Sequence, residues 1–170
     1  ISFTDNNTRF DSNGVQFIIG PYDDYALARA VELKETHQAT VTALCVGGPE
    51  TEPTIRKALA IGADGAIRVN LNPSDSLETA TQIAANAAGY DLILMGRESI
   101  DHNSGVVHAL VGELLNIPSV SPVMKLDIGG ATATMVREIE GGKETVECNL
   151  PLVAGCQEPI AEWKIPNMRG

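Results

Sequence analysis

Ten consecutive residues, Gly96-Arg97-Glu98-Ser99-Ile100-Asp101-His102-Asn103-Ser104-Gly105, gather glycines, hydroxyls, an amide and charged groups between two apolar segments. They leave a predicted strand at its carboxyl end and open the next predicted helix, the place where doubly wound sheets bind ligands. Free N–H groups at the start of the helix from Val106 to Leu115 suit a phosphate, Gly105 lets the backbone approach it, and Ser104 adds a hydroxyl donor. A plain helix start with Asn103 or Ser104 as N-cap explains the same residues equally well. A second loop, Cys45-Val46-Gly47-Gly48-Pro49, ends another predicted strand and could line an adenine or ribose with backbone groups. A structural turn accounts for it just as well.

Other chemistries find little footing. The chain has no G-x-x-x-x-G-K-[ST] phosphate loop and no G-x-G-x-x-G fingerprint, which argues against ATP hydrolysis and a standard dinucleotide fold. His37, His102 and His108 are the only histidines and none has metal-ligand spacing, so no metal site is expected; only His102 falls within the candidate loop. Ser99 beside Asp101 lacks the G-x-S-x-G elbow and a base, so no catalytic residue is assigned. Cys45 has no cationic neighbour in sequence to activate it and reads as a small buried hydrophobe.

The elements that must position these loops follow from pattern. Val15, Phe17 and Ile19 alternate after Asn13-Gly14, which predicts a short hairpin turning at that dipeptide. Gly20-Pro21 introduces a helix to about Thr36, with Asp23 and Asp24 near its positive end and Ala26, Leu27, Ala30 and Leu33 as its apolar stripe. Thr40 to Val46 reads as a buried strand; a helix from Thr51 to Gly62 follows, with Ile55, Ala58 and Leu59 inward. Ala66 to Val69 is a strand, and Asp75 with Glu78 has capping-box spacing for a helix carrying Leu77, Ala80, Ala84 and Ala87 on one face. Leu92 to Met95 is the next strand, and Val107, Leu110, Val111 and Leu114 give the next helix its stripe. Such alternation predicts an α/β fold with a doubly wound, mostly parallel sheet. Beyond Val120 the pattern changes to strands Val123 to Ile128, Thr132 to Glu140 and Glu144 to Asn149, turning at Gly129-Gly130 and Gly141-Gly142: an antiparallel appendage. Residues Gln157 to Gly170 lack a period and read as an arm.

Composition bounds the whole. The 170 residues, 44% apolar and only 4% aromatic, suffice for one domain built of aliphatic strands and helices. A net charge of -10 and a pI of about 4.6 oppose binding to nucleic acid. Three cysteines without CxxC spacing read as reduced thiols. No apolar run approaches the roughly 20 residues needed to span a bilayer and no signal peptide pattern is seen, so a soluble, cytoplasmic protein is expected.

Four blocks then carry a resemblance. Gly20-Pro21-Tyr22-Asp23, Arg56-Lys57-Ala58-Leu59-Ala60-Ile61-Gly62-Ala63-Asp64, the loop from Gly96 to Gly105, and Val136-Arg137-Glu138-Ile139-Glu140-Gly141-Gly142-Lys143-Glu144-Thr145-Val146 resemble, in order, segments of electron transfer flavoprotein β subunits. The resemblance implies an adenine-nucleotide α-hydrolase-like sheet in a single domain over residues 1–170. It implies a heterodimer whose α subunit holds the redox FAD, while the β subunit holds AMP or a second FAD and meets acyl-CoA or related dehydrogenases, as in fatty acid oxidation. Carried over, Cys45, Gly96, Asn103, Ser104, Gly105, Val106 and Val107 would surround the nucleotide. Glu138, Gly141 and Gly142 would face the flavin-bearing subunit, and Ile160 and Trp163, within a partner-binding segment over 157–170, would anchor a partner.

The sequence also departs from that pattern. Gly20 stands where the family has Asn, and Val106 where Gln is common. The family's opening strand of the kind M-K-I-L-V-x-x-K and its long arm after Pro166-Asn167-Met168 are expected to be missing here. The resemblance predicts an electron carrier subunit that is not itself an enzyme. The alternative is a stand-alone adenine-nucleotide-binding protein of the universal-stress type, which shares the strand, loop and helix order. An adenylating enzyme on the same fold lacks its S-G-G-x-D-S loop here.

Overall fold

The computed structural model describes residues 2–162 and 164–166. Strands β1 (Phe3–Thr4) and β2 (Arg9–Phe10) form a small antiparallel ribbon with Phe3 opposite Phe10. Its turn is not at Asn13-Gly14. Asp5, Asn6 and Asn7 all hold positive φ (51°, 56° and 67°), a conformation their short polar side chains tolerate, and they close the ribbon first. Gly14 does turn the chain, with the Val15 N–H donating to the Ser12 carbonyl at 3.1 Å, but Val15, Phe17 and Ile18 belong to no strand and stay exposed.

Helix α1 (Pro21–His37) follows, with Pro in its first turn. It buries Asp24, Ala26, Ala28, Val31 and Leu33, a broader face than the expected stripe, because it is covered on two sides. It lies along β5 (Leu92–Gly96) and β9 (Leu152–Cys156), while Val31 meets the end of α2 (Glu52–Ile61) at Gly62. Strands β3 (Thr42–Val46) and β4 (Gly65–Val69) pair in parallel from Thr42↔Gly65 to Val46↔Val69. A 3-10 turn at Pro49–Thr51 leads into α2, where Ala58 is buried but Leu59, expected inward, is 39% exposed.

Helix α3 (Ser76–Ala87) is capped by Asp75, whose carboxylate accepts from the Glu78 N–H at 2.8 Å. Glu78 reaches back to the Ser74 N–H, one residue before the expected reciprocal contact. Ala80, Ala84 and Ala87 are buried, whereas Leu77 is exposed. Helix α4 (Val107–Leu115) packs on α3, β9 and β6 (Ser119–Gly129) through Val111, while Leu114 points outward.

The main sheet is ordered β5-β9-β6-β7-β8, with β7 at Thr132–Ile139 and β8 at Gly142–Asn149. Strands β5, β9 and β6 run parallel; β6, β7 and β8 are antiparallel. The antiparallel strands are thus not an appendage apart, since β6 belongs to both halves. Its partner β9 has no counterpart among the strands expected from sequence, yet all five of its residues are buried between β5 and β6. One core cluster joins α1 to Val123, Leu126, Met135 and Leu152; a second joins α3 and α4 to Val153. Helices therefore cover both faces of the sheet. The segment after β9 is not a free arm at its start: Gln157 and Ile160 are each 6% exposed, and the Ile160 N–H donates to the Gln157 carbonyl at 3.0 Å.

Candidate functional site

The carboxyl ends of the parallel strands converge on the first turn of α1. Gly96 ends β5, Cys45 is next to last in β3, and Cys156 ends β9. The Gly96 N–H donates to Asp23 Oδ1 at 2.7 Å. A Cβ on Gly96 would stand 2.8 Å from the Tyr22 Cβ and 2.9 Å from the Asp23 nitrogen, so only glycine lets helix and strand approach this closely. Asp23 is surrounded by protein yet open to solvent on one side. Burial raises its pKa above the usual carboxylate range, the Gly96 N–H opposes the rise, and neighbouring Asp24 adds to it. The same carboxylate contributes to raising the Cys45 and Cys156 thiols, for which burial is the main cause; Cys156 is pushed up to about 12. Both cysteines are thereby poor nucleophiles at neutral pH.

From Gly96 the candidate loop turns back on itself. The Asn103 N–H donates to the Ser99 carbonyl at 2.8 Å, and Asn103 and Gly105 hold φ of 50° and 62°. Ser104 Oγ lies 3.2 Å from Ser76 Oγ, which ties the loop to the first turn of α3. The N-cap of α4 is Val106, not Asn103 or Ser104, and no side chain caps it. The first helical hydrogen bond runs from the Leu110 N–H to the Val106 carbonyl, leaving the first-turn N–H groups to an outside acceptor such as a phosphate. His108, in that first turn, has its pKa lowered by burial, against which the Gly105 backbone acts. It is therefore not a cation for phosphate at neutral pH.

The structure thus joins Gly96, Asn103, Ser104, Gly105, Val106 and Val107 in one loop and helix start, and brings Cys45 near through Asp23. Two cavities, of about 450 and 500 Å³, lie elsewhere: one beside Arg29, Lys125 and Lys143, the other beside Tyr25, Glu32 and Glu158. The nucleotide candidates line an open edge instead. Among the described residues, no group of three or more His, Cys, Asp and Glu is placed to hold a metal ion, and no helix is long and apolar enough to cross a membrane.

The residues expected to meet a partner fare differently. Arg137 Nε donates to Glu144 Oε2 at 2.6 Å across the β7–β8 pair, whose turn places Gly141 at φ 79° before Gly142. Glu138 is exposed and accepts from Gln157 Nε2 at 2.7 Å. Ile160 is packed into the main core and only 6% exposed. Trp163 lies outside the described residues. Three residues at this edge lie in segments that the sequence singles out but are not among its site candidates: Asp23, in the block from Gly20, Arg97, in the candidate loop, and Gln157, at the start of the segment 157–170. Arg97 Nη1 donates to Gln157 Oε1 at 2.8 Å, Nη2 pairs with Glu98 at 3.1 Å, and the guanidinium sits 5.2 Å from the centroid of the Tyr22 ring. No motif flags a glutamine, and only the strand order brings it between Arg97 and Glu138.

The sequence model of the electron transfer flavoprotein domain matches residues 8–168. The electron transfer flavoprotein subunit β of Bacillus subtilis is 38% identical over 170 residues, covering 95% of this chain and 65% of the relative. That of Syntrophomonas wolfei is 34% identical, covering 92% and 64%, and that of Mycobacterium tuberculosis is 30% identical, covering 98% and 67%. The chain therefore spans about two thirds of the length of these relatives. On a match that takes in nearly all of its residues, the chain belongs to the electron transfer flavoprotein domain family.

Proposed function

We propose that this chain is the nucleotide-binding part of an electron transfer flavoprotein β subunit, pairing with an α subunit that holds most of the FAD. The observation that carries the nucleotide assignment is the open strand edge where α1 closes on Gly96 while the uncapped start of α4 follows Gly105. These residues fit an adenine nucleotide: first-turn N–H groups of α4 and the Ser104 hydroxyl for phosphate, with Gly96 and Cys45 lining the sugar and base. Asp23, whose Oδ1 already accepts from the Gly96 N–H, offers a carboxyl oxygen to a hydroxyl or amino donor rather than to phosphate, which orients the ligand with its phosphate toward α4. AMP, or a second FAD, would serve there as a structural brace.

Redox chemistry belongs to the flavin, whose isoalloxazine accepts and passes on electrons when bound. This chain's part is to support that flavin's subunit through the β7–β8 region and to present a surface to acyl-CoA or related dehydrogenases. It is a carrier rather than a catalyst of bond-making. The resemblance also asks for one more parallel strand, and β3 and β5 each keep one edge without a strand partner among the described residues. Native mass spectrometry of the full-length protein produced with its α subunit tests the reading. A heterodimer carrying one FAD and one AMP is expected, or two FADs for an electron-bifurcating form. A homodimer that binds ATP and ignores the α subunit would instead establish the universal-stress-type alternative.

A further inference from the structure

An exposed glutamate ordinarily samples many rotamers, and ordering it on binding costs affinity. Glu138 departs from that. Although exposed on β7, it has one carboxylate oxygen fixed at 2.7 Å by Nε2 of Gln157, a residue only 6% exposed. The amide's other end is fixed as well, because Oε1 accepts from Arg97 Nη1 at 2.8 Å. Its orientation has no alternative: a guanidinium cannot accept a hydrogen bond and a carboxylate cannot donate one, so a flipped amide would lose both contacts. The backbone of Gln157 is held too, since its N–H donates to the Val123 carbonyl at 3.0 Å and extends the β9–β6 pairing by one step. Arg97 is itself pinned by Glu98 and lies over Tyr22. A continuous chain of contacts thus runs from the first residue after β5, through the first after β9, to Glu138 on β7.

We propose that Gln157 is a positioning residue, holding Glu138 in the conformation in which its free oxygen meets the flavin-bearing subunit and tying that acid to the start of the nucleotide loop. The proposal rests on the reading of the chain as a β subunit and adds the residue that prepares its interface. The glutamine acts through Glu138 and does not itself touch the partner.

The test is a double-mutant cycle on the full-length protein, with association to its α subunit measured kinetically. Gln157→Met keeps volume and removes both hydrogen bonds. Gln157→Glu keeps an acceptor for Arg97 but sets a carboxylate against Glu138. It guards against a folding defect in the first variant. Each is expected to weaken association by about 2- to 10-fold, the cost of ordering one freed side chain. In a Glu138→Ala background neither should add further loss. Equal losses with and without Glu138, or no loss at all, would overturn the proposal. If the unaltered protein fails to bind an α subunit, the β-subunit reading itself falls, an outcome visible before any variant is made.

Discussion

At the scale of single residues, the carboxyl edge of the sheet holds an acid, Asp23, whose charged form the fold does not favour. Burial disfavours the charged form of Asp23 and the Gly96 N–H offsets this only in part, so its pKa in the folded protein stands above the unfolded value. Below the unfolded value both states are protonated and nothing is lost. As pH rises through the folded value, the native state must carry a charge it disfavours, and stability declines. Asp23→Asn keeps an oxygen for the Gly96 N–H and removes the charge. It is therefore expected to melt higher than the unaltered protein at pH 7 to 8 and to match it near pH 3. Thermal melts across that range check this; a gap that persists at pH 3 would mean that Asp23 acts through packing rather than charge.

At the scale of elements, the segment that most specifically carries the family resemblance turns out to build the scaffold. Gly62 ends α2 at φ 146°, and a Cβ there would stand 3.0 Å from both Val31 methyls. Ala63 is 9% exposed, and Asp64 clamps α1 to the residue just before β3 by pairing with Lys34 and accepting from the Val41 N–H at 2.9 Å. Gly62→Ala combines a disfavoured backbone with a clash and is expected to cost about 1–3 kcal/mol. For a chain of this size that is roughly 2–4 °C in Tm per kcal/mol, readable by calorimetry. This segment was legible because glycine at a helix end and alanine against a neighbouring helix are local requirements. So were α1, α3, the β6–β7–β8 meander and the loop after β5. Strand β9 was not, because Leu152–Cys156 is a five-residue apolar run whose place between β5 and β6 is fixed only by long-range pairing. Leu59, Leu77 and Leu114 were misplaced for the opposite reason: helical period shows which residues share a face, not how wide a face the neighbouring elements cover.

At the scale of the whole molecule, the parallel strands form two groups, β3–β4 and β5–β9–β6, whose carboxyl ends both lie near Asp23. Strand β3 pairs only with β4, and β5 only with β9, so each leaves one row of N–H and C=O groups outside any ladder. Buried backbone groups are nearly always paired, and the residues of β3 and β5 are only half-buried while β9 is wholly so. Both features are accounted for if one parallel strand, supplied from beyond the described residues, lies between β3 and β5 and makes a single continuous sheet. Hydrogen exchange on the full-length protein distinguishes the arrangements. With that strand in place, amides of Thr42–Val46 and Leu92–Gly96 should exchange nearly as slowly as those of Leu152–Cys156, since all three strands would open only with the sheet as a unit. If β9 is strongly protected while β3 exchanges orders of magnitude faster, the β3–β4 pair is a separate and weaker unit. The proposed nucleotide site would then lie across a seam between two groups of strands rather than over one continuous sheet.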